Sequence, residues 1–140
     1  MYFDREEVSD DIKEILDLKN GCEVYVLKRL RLAHDVPVGI EEAFIPVQYC
    51  PELDKFDLTT SLYNLIKEEY SYTINYIDNV IEASKPTREE KEFLNITNNV
   101  PVLKITGINY TQSDLKLFYE RSLYRSDEYK YNVRVYVNKT

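Results

Sequence analysis

Arg29 and Arg31 stand on alternate positions of an otherwise apolar run, VYVLKRLRL, between Val24 and Leu32. In an extended chain both leave one face, beside Tyr25 and Leu27, where a core is expected. Two guanidiniums on one face have the chemistry of an anion site. Each planar fork can grip phosphate or carboxylate through two hydrogen bonds and stays charged when partly desolvated. The competing account is a pair of rim arginines answering nearby Glu and Asp at a sheet end. Further along, Thr59-Thr60-Ser61 precedes the amphipathic run LYNLIKEEY. A helix start there offers unpaired N–H groups and the positive end of a dipole, and Ser61 adds a hydroxyl. Plain N-capping by Thr60 or Ser61 accounts for the same residues without a ligand.

Catalytic chemistry has less to work with. His34 is the only histidine and sits in a turn-like His-Asp pair with no nucleophile motif nearby. Cys22 and Cys50 are isolated, without a CxxC spacing, and are expected to be reduced structural thiols. No catalytic residue, metal or cofactor is expected.

The elements that must position the arginines follow from periodicity. Val8, Ile12, Ile15 and Leu16 have helical spacing, which predicts a helix over Glu6–Leu16, with Ser9 or Asp10 near its cap and Asn20-Gly21 as the stop. Glu23–Ala33 is a predicted strand, His34-Asp35 a turn, and Pro37–Ile45 the returning strand. YCPELDKFD is a loop. Thr59–Tyr70 is a short amphipathic helix and Tyr72–Ala83 a strand. Thr87 with Glu90 forms a capping box opening a helix to Leu94. Pro101–Thr111, Lys116–Arg125 and Tyr131–Val137 are further strands, with Gln112-Ser113-Asp114 a turn.

That order contains a repeat. LDLKNGCEVYVLKRLRL overlays LNITNNVPVLKITGINY without a gap at an offset of 78, matching Leu16 with Leu94, Leu18 with Ile96, Val24 with Val102, Leu27 with Ile105 and Leu30 with Ile108. Each half is a helix, a tight turn and a β-hairpin. Two such hairpins most simply join into one antiparallel sheet with helices on one face, an α+β architecture. Gly107 and Asn109 fall on Arg29 and Arg31, so the arginine positions are where the halves diverge.

Composition bounds the function. The 140 residues suffice for one domain with a genuine core. A formal charge of −7 with scattered basic residues argues against direct nucleic-acid binding by this chain. No apolar run nears the roughly 18 residues of a membrane span, and MYFDREEVSDD is no signal peptide, so a cytoplasmic location is expected. The 13 tyrosines suit half-buried surfaces and polar pockets, though strand propensity accounts for most of them.

Four stretches in series, LDLKNGCEVYVLKRLRLAHDVPVGIEEAFIP, SLYNLIKEEY, LNITNNVPVLKITGINY and YRSDEYKY, resemble the UTRA effector-binding domain of the GntR superfamily, HutC subfamily, of bacterial transcription regulators. The resemblance covers nearly the whole chain. It implies a chorismate lyase-like fold, a mostly antiparallel sheet flanked by helices. It also implies a non-catalytic sensor that binds a small metabolite, often a sugar phosphate, and forms a homodimer. Residues 1–140 would be a single ligand-sensing domain. DNA contact would come only through an N-terminal winged helix-turn-helix domain, which nothing here resembles, and no membrane partner is implied. The family's domain usually begins upstream of Met1, with a segment that closes over the ligand.

The resemblance also implies a site. Arg29, Arg31, Ser61 and Tyr63 would hold the anionic group, Glu41 would accept sugar hydroxyls, and Tyr124 would line the pocket. For Glu41 the register is open. A two-residue turn at His34-Asp35 puts Glu42 on the arginine face, whereas a three-residue turn with a bulge favours Glu41. A cross-strand aromatic pair is the competing account of Tyr124. Phe118, in LFYERS, stands where similar sensors often carry a second glutamate, which removes one hydroxyl acceptor. A lyase-like enzyme acting on a carboxylated substrate, through the same arginines, and a pure assembly module built on the tyrosines are the alternative functions.

Overall fold

A computed structural model describes residues 2–138. The elements, in chain order, are β1 (Tyr2–Glu7), α1 (Asp10–Ile15), β2 (Glu23–Ala33), β3 (Val36–Pro46), a 3₁₀ turn (Leu53–Lys55), α2 (Leu62–Tyr70), β4 (Ile74–Ser84), α3 (Arg88–Phe93), β5 (Val102–Thr111) and β6 (Lys116–Arg125). The six strands form one antiparallel sheet in the order β1-β2-β3-β6-β5-β4. The two predicted hairpins, β2–β3 and β5–β6, meet through β3 and β6 at its centre.

The repeat is visible in the helix ends. α1 and α3 have C-caps Leu16 and Leu94, each followed by a residue at φ 52°, Asp17 and Asn95. The amide of Leu18 then donates to Lys13 O at 2.8 Å, and the amide of Ile96 to Lys91 O at 2.9 Å. This is the same Schellman-type stop, repeated 78 residues later. It turns Leu18 and Ile96 inward; both are buried. The predicted capping box of α3 is present, with Thr87 Oγ1 accepting from the Glu90 amide and Glu90 accepting from that of Thr87.

Helices cover both faces of the sheet, not one. α1 packs on Val24, Val26, Phe44 and Tyr119, and the Leu94–Ile96 turn packs on Val102 and Leu123 of that same face. α2 lies across the opposite face, where Leu62 and Ile66 cover Tyr25, Leu27, Ile45 and Phe118. The arginine face is therefore a core at one end.

Three other expectations change. Residues 6 and 7 belong to the edge strand β1, so the first helix begins at Asp10 after Ser9. β1 exposes nearly every side chain and fixes itself mainly through Phe3, whose ring stacks on Tyr25 at 5.3 Å. α2 starts at Leu62 because Thr59 and Thr60 are held by Asp57: its carboxylate accepts from Thr59, and its carbonyl from the Thr60 hydroxyl. Tyr131–Val137 is not a strand: Val133, Val135 and Val137 are 71%, 76% and 81% exposed, since no strand among the described residues pairs with the segment.

Ile66, fully buried under α2, anchors this roof. Ile66→Ala should cost about 2–5 kcal/mol in urea unfolding, whereas Phe93→Ala, at a side chain 53% exposed, should change stability by about 0.5 kcal/mol or less.

Candidate functional site

Register decides which side chains share the arginine face. The turn His34-Asp35 has φ 52° and 63°, the left-handed pair of a tight two-residue hairpin turn. Beyond it Ala33 pairs with Val36 and Leu32 with Pro37, but Arg31 pairs with Gly39 and Arg29 with Glu41. Val38 is thus an extra residue, a bulge that shifts β3 by one place and exchanges its faces. The turn is the two-residue one that alone would favour Glu42; the bulge gives the arginine face to Glu41. Glu42 points to the other face, paired with Lys28 and Arg121.

Across the sheet, the floor then forms rows. Leu27, Ala43, Glu120, Gly107 and Asn79 make one, and Arg29, Glu41, Ser122, Ile105 and Ile81 the next. Arg31, Gly39 and Tyr124 follow. Small residues open the surface: a Cβ on Gly39 would overlap the Tyr124 ring, and one on Gly107 would overlap the Asn79 amide. With the start of α2 as its far wall, this floor bounds a cavity of about 400 Å³. Arg29, Arg31, Glu41, Ser61, Tyr63 and Tyr124 all line it.

Within it, charge is unevenly compensated. Arg31 Nε donates to Glu41 Oε1 at 2.5 Å, and the Tyr124 hydroxyl donates to the other Glu41 oxygen. Burial, then the Glu41 contact, hold the Tyr124 hydroxyl well above its ordinary pKa. Tyr124 makes no cross-strand aromatic pair; its ring stacks on Tyr129 at 3.9 Å. Arg29 donates to two carbonyls ahead of α2, those of Leu58 and, at 3.2 Å, Thr60. It has no carboxylate partner among the described residues. Ser61 is the N-cap of α2, accepting from the Asn64 amide at a long 3.4 Å. The other first-turn amides have no intrahelical acceptor.

A second cluster was not anticipated. The Tyr63 hydroxyl lies 2.5 Å from Glu120 Oε1 and 2.9 Å from Asn109 Oδ1. Its single proton belongs to the carboxylate, the stronger acceptor. Asn109, fully buried, donates to the same Glu120 oxygen at 2.9 Å. Burial, with Glu120 adding to it, pushes the Tyr63 hydroxyl far above the ordinary tyrosine range. Phe118 is fully buried, 5.7 Å from the Tyr63 ring. A carboxylate therefore remains on this strand, two residues past the aromatic. Alternation along β6 puts Glu120 and Ser122 on the same face as Tyr124, so the signal was present.

Among the described residues no group of His, Cys, Asp and Glu could hold a metal, and no helix is long and apolar enough to cross a membrane. Cys22 and Cys50 are free thiols, and burial pushes that of Cys50 up to about 12.

The UTRA domain profile matches residues 1–130. The chain belongs to the UTRA domain family. Among curated relatives, the transcriptional repressor NagR of Bacillus subtilis is 30% identical over 88% of this chain and 51% of its own length. The mannosyl-D-glycerate system repressor MngR of Escherichia coli is 25% identical over 95% of this chain and 55% of its own. The chain thus spans about half the length of such relatives. Among solved structures, a GntR-family regulator from Enterococcus faecalis superposes with a TM-score of 0.88 at 22% identity, covering 96% of each chain. The effector-binding domain of the B. subtilis trehalose repressor gives 0.86 at 20% identity, over 99% of this chain and 96% of that one. This UTRA fold is that of GntR-family effector-binding domains.

The two site tyrosines predict the alkaline behaviour of the domain. Their folded-state pKa values lie above the ordinary 10.0, so their contribution to stability is complete below about pH 10 and declines as pH rises toward the folded values. Urea midpoints should fall as pH rises above about 10, the ordinary tyrosine value, and tyrosinate absorbance from these two rings should appear only with unfolding. Tyr63→Phe should flatten the decline; an unchanged slope would remove Tyr63 from this account.

Proposed function

We propose that this UTRA domain is the non-catalytic sensor of a GntR-type transcriptional regulator and that its cavity takes a small organic anion, a sugar phosphate fitting best. The observation that carries the reading is Arg29. It is a half-buried cation in a cavity, tied to two neutral carbonyls and lacking a carboxylate among the described residues. An anion placed there offsets the cost of desolvating that charge. The start of α2 lies against the same space, so first-turn amides and Ser61 add neutral donors to the same anion. Arg31 serves in a second way, by exchanging Glu41 for the ligand.

That exchange supplies a signal. Glu41 holds Tyr124, and Tyr124 stacks on Tyr129 at the head of the C-terminal segment. A ligand that binds one arrangement of this chain of contacts better than the other shifts the population between them. The DNA-binding part would lie outside these residues, as expected of relatives about twice as long.

Two features support self-association. β4 forms an open sheet edge of eleven residues, with Val80 57% and Ile81 47% exposed. The segment after Tyr131 carries three exposed valines and pairs with no strand among the described residues. Free edges and apolar segments of this kind are what strand addition between copies covers.

Titration calorimetry with phosphorylated sugars is expected to detect binding, with Arg29→Ala weakening it at least about tenfold. Unchanged affinity in the Arg29→Ala, Arg31→Ala double variant would overturn the site. In sedimentation velocity the intact chain should be a dimer and the chain lacking residues 132–140 a monomer. A monomeric intact chain would remove dimerisation from the reading.

A further inference from the structure

We propose that Glu120, set by Tyr63 and Asn109, is a second recognition point of the cavity and selects effectors carrying a hydrogen-bond donor, hydroxyl or ammonium, away from their anionic group. The inference rests on the anion-binding reading and names the other end of the ligand.

Three observations carry it. First, Glu120 has no cation within ion-pair distance among the described residues, although it is half-buried and lines the cavity. Secondly, its two oxygens are treated differently. Oε1 accepts from both Tyr63 and Asn109, which fixes the carboxylate, whereas Oε2 has no protein donor among the described residues. A carboxylate held on one oxygen and free on the other is set to accept from something else. Thirdly, its neighbours across the strands are Ala43 and Gly107, too small to cover it.

The geometry suits a ligand spanning both points. Glu120 lies two strands from Arg29 and one side-chain step along the sheet. With strands about 4.8 Å apart and same-face residues about 7 Å apart, the two Cα atoms are roughly 12 Å apart. Side chains reaching inward from both leave room for a molecule of a few ångströms, in keeping with a cavity of about 400 Å³. The uncompensated cation and the uncompensated carboxylate thus stand at opposite ends of one space. Phe118, which fills the neighbouring floor position, supports the Tyr63 ring and has no acceptor of its own.

A purely structural role, tying α2 to the sheet through Tyr63, predicts something else, and binding selectivity separates the two. The probes are inorganic phosphate, glucose 6-phosphate and glucosamine 6-phosphate, titrated into the intact chain and its Glu120→Gln and Glu120→Asp variants. Wild-type protein should prefer one or both sugar esters to inorganic phosphate. Glu120→Gln should weaken that ester about ten- to a hundredfold while leaving inorganic phosphate within about twofold. Glu120→Asp, which keeps the charge, should recover part of the loss. A larger effect on the amino ester assigns the donor as ammonium; equal effects assign it as hydroxyl.

Equal losses for inorganic phosphate and the esters, or none for either, would overturn the role of Glu120 and leave the anion site standing. Absence of binding of all three probes to wild-type protein would overturn both readings.

Discussion

One inserted residue governs which groups face the arginines. The His34-Asp35 turn fixes where β3 begins, and continued without interruption it would put Val38, Ile40 and Glu42 beside Arg29 and Arg31. The bulge at Val38 replaces that set with Gly39, Glu41 and Ala43. Because β6 pairs with β3 and β5 with β6, the choice carries through to Ser122, Glu120 and Tyr124, and on to Ile105 and Gly107. Without the bulge, Glu41 would lie on the α1 side and Arg31 would lose its partner. The absence of a side chain on Gly39 matters for the same reason, since the Tyr124 ring occupies that space on its way to Glu41.

The floor so assembled changes character along its length. At the Tyr25–Phe118 end it is apolar and sealed by α2, whose Leu62 and Ile66 are buried. Two rows further it is charged and open. Burial at the first end holds the start of α2 over the second, and Arg29 reinforces this by bonding the carbonyls that lead into the helix. The same guanidinium that positions the wall is the charge the wall encloses. That coupling explains how an acidic protein, with formal charge −7, can still hold in its cavity a cation without a carboxylate partner among the described residues. What matters is not the number of cations but which of them lacks a carboxylate.

Much of this was legible in the sequence, and for identifiable reasons. The capping box and five of the six strands follow from short-range signals, Thr87 with Glu90 and period-two alternation, whereas the stop of α1, expected at Asn20-Gly21, falls instead at the left-handed Asp17. β1 was not legible because it buries little beyond Phe3 and shows no alternation. Tyr131–Val137 fails in the opposite sense: the alternation exists, but a strand also needs a neighbour, and pairing is not written in a segment's own pattern. The six candidate residues line one cavity, while Glu120 and Asn109 escaped notice. Attention to Phe118 as a missing acceptor obscured the carboxylate two residues later on the same face.

The repeat gives these positions a common origin in geometry. Arg29 and Arg31 correspond to Gly107 and Asn109, and all four lie on the same face of one sheet. The scaffold is close to symmetric, with matched C-terminal caps, matched hairpins and matched buried residues at Leu16 and Leu94. Its cavity face is not. The first half contributes charge; the second contributes an open floor at Gly107 and a buried amide at Asn109, which steadies a carboxylate. A symmetric face would repeat the cations on both hairpins and set four like charges over a narrow space, at a large electrostatic cost. Divergence at these two positions lets the chain keep one fold in both halves while giving the cavity a cationic end and an anionic end. Polarity of that kind is what allows a pocket to fix the direction of a small ligand as well as its presence.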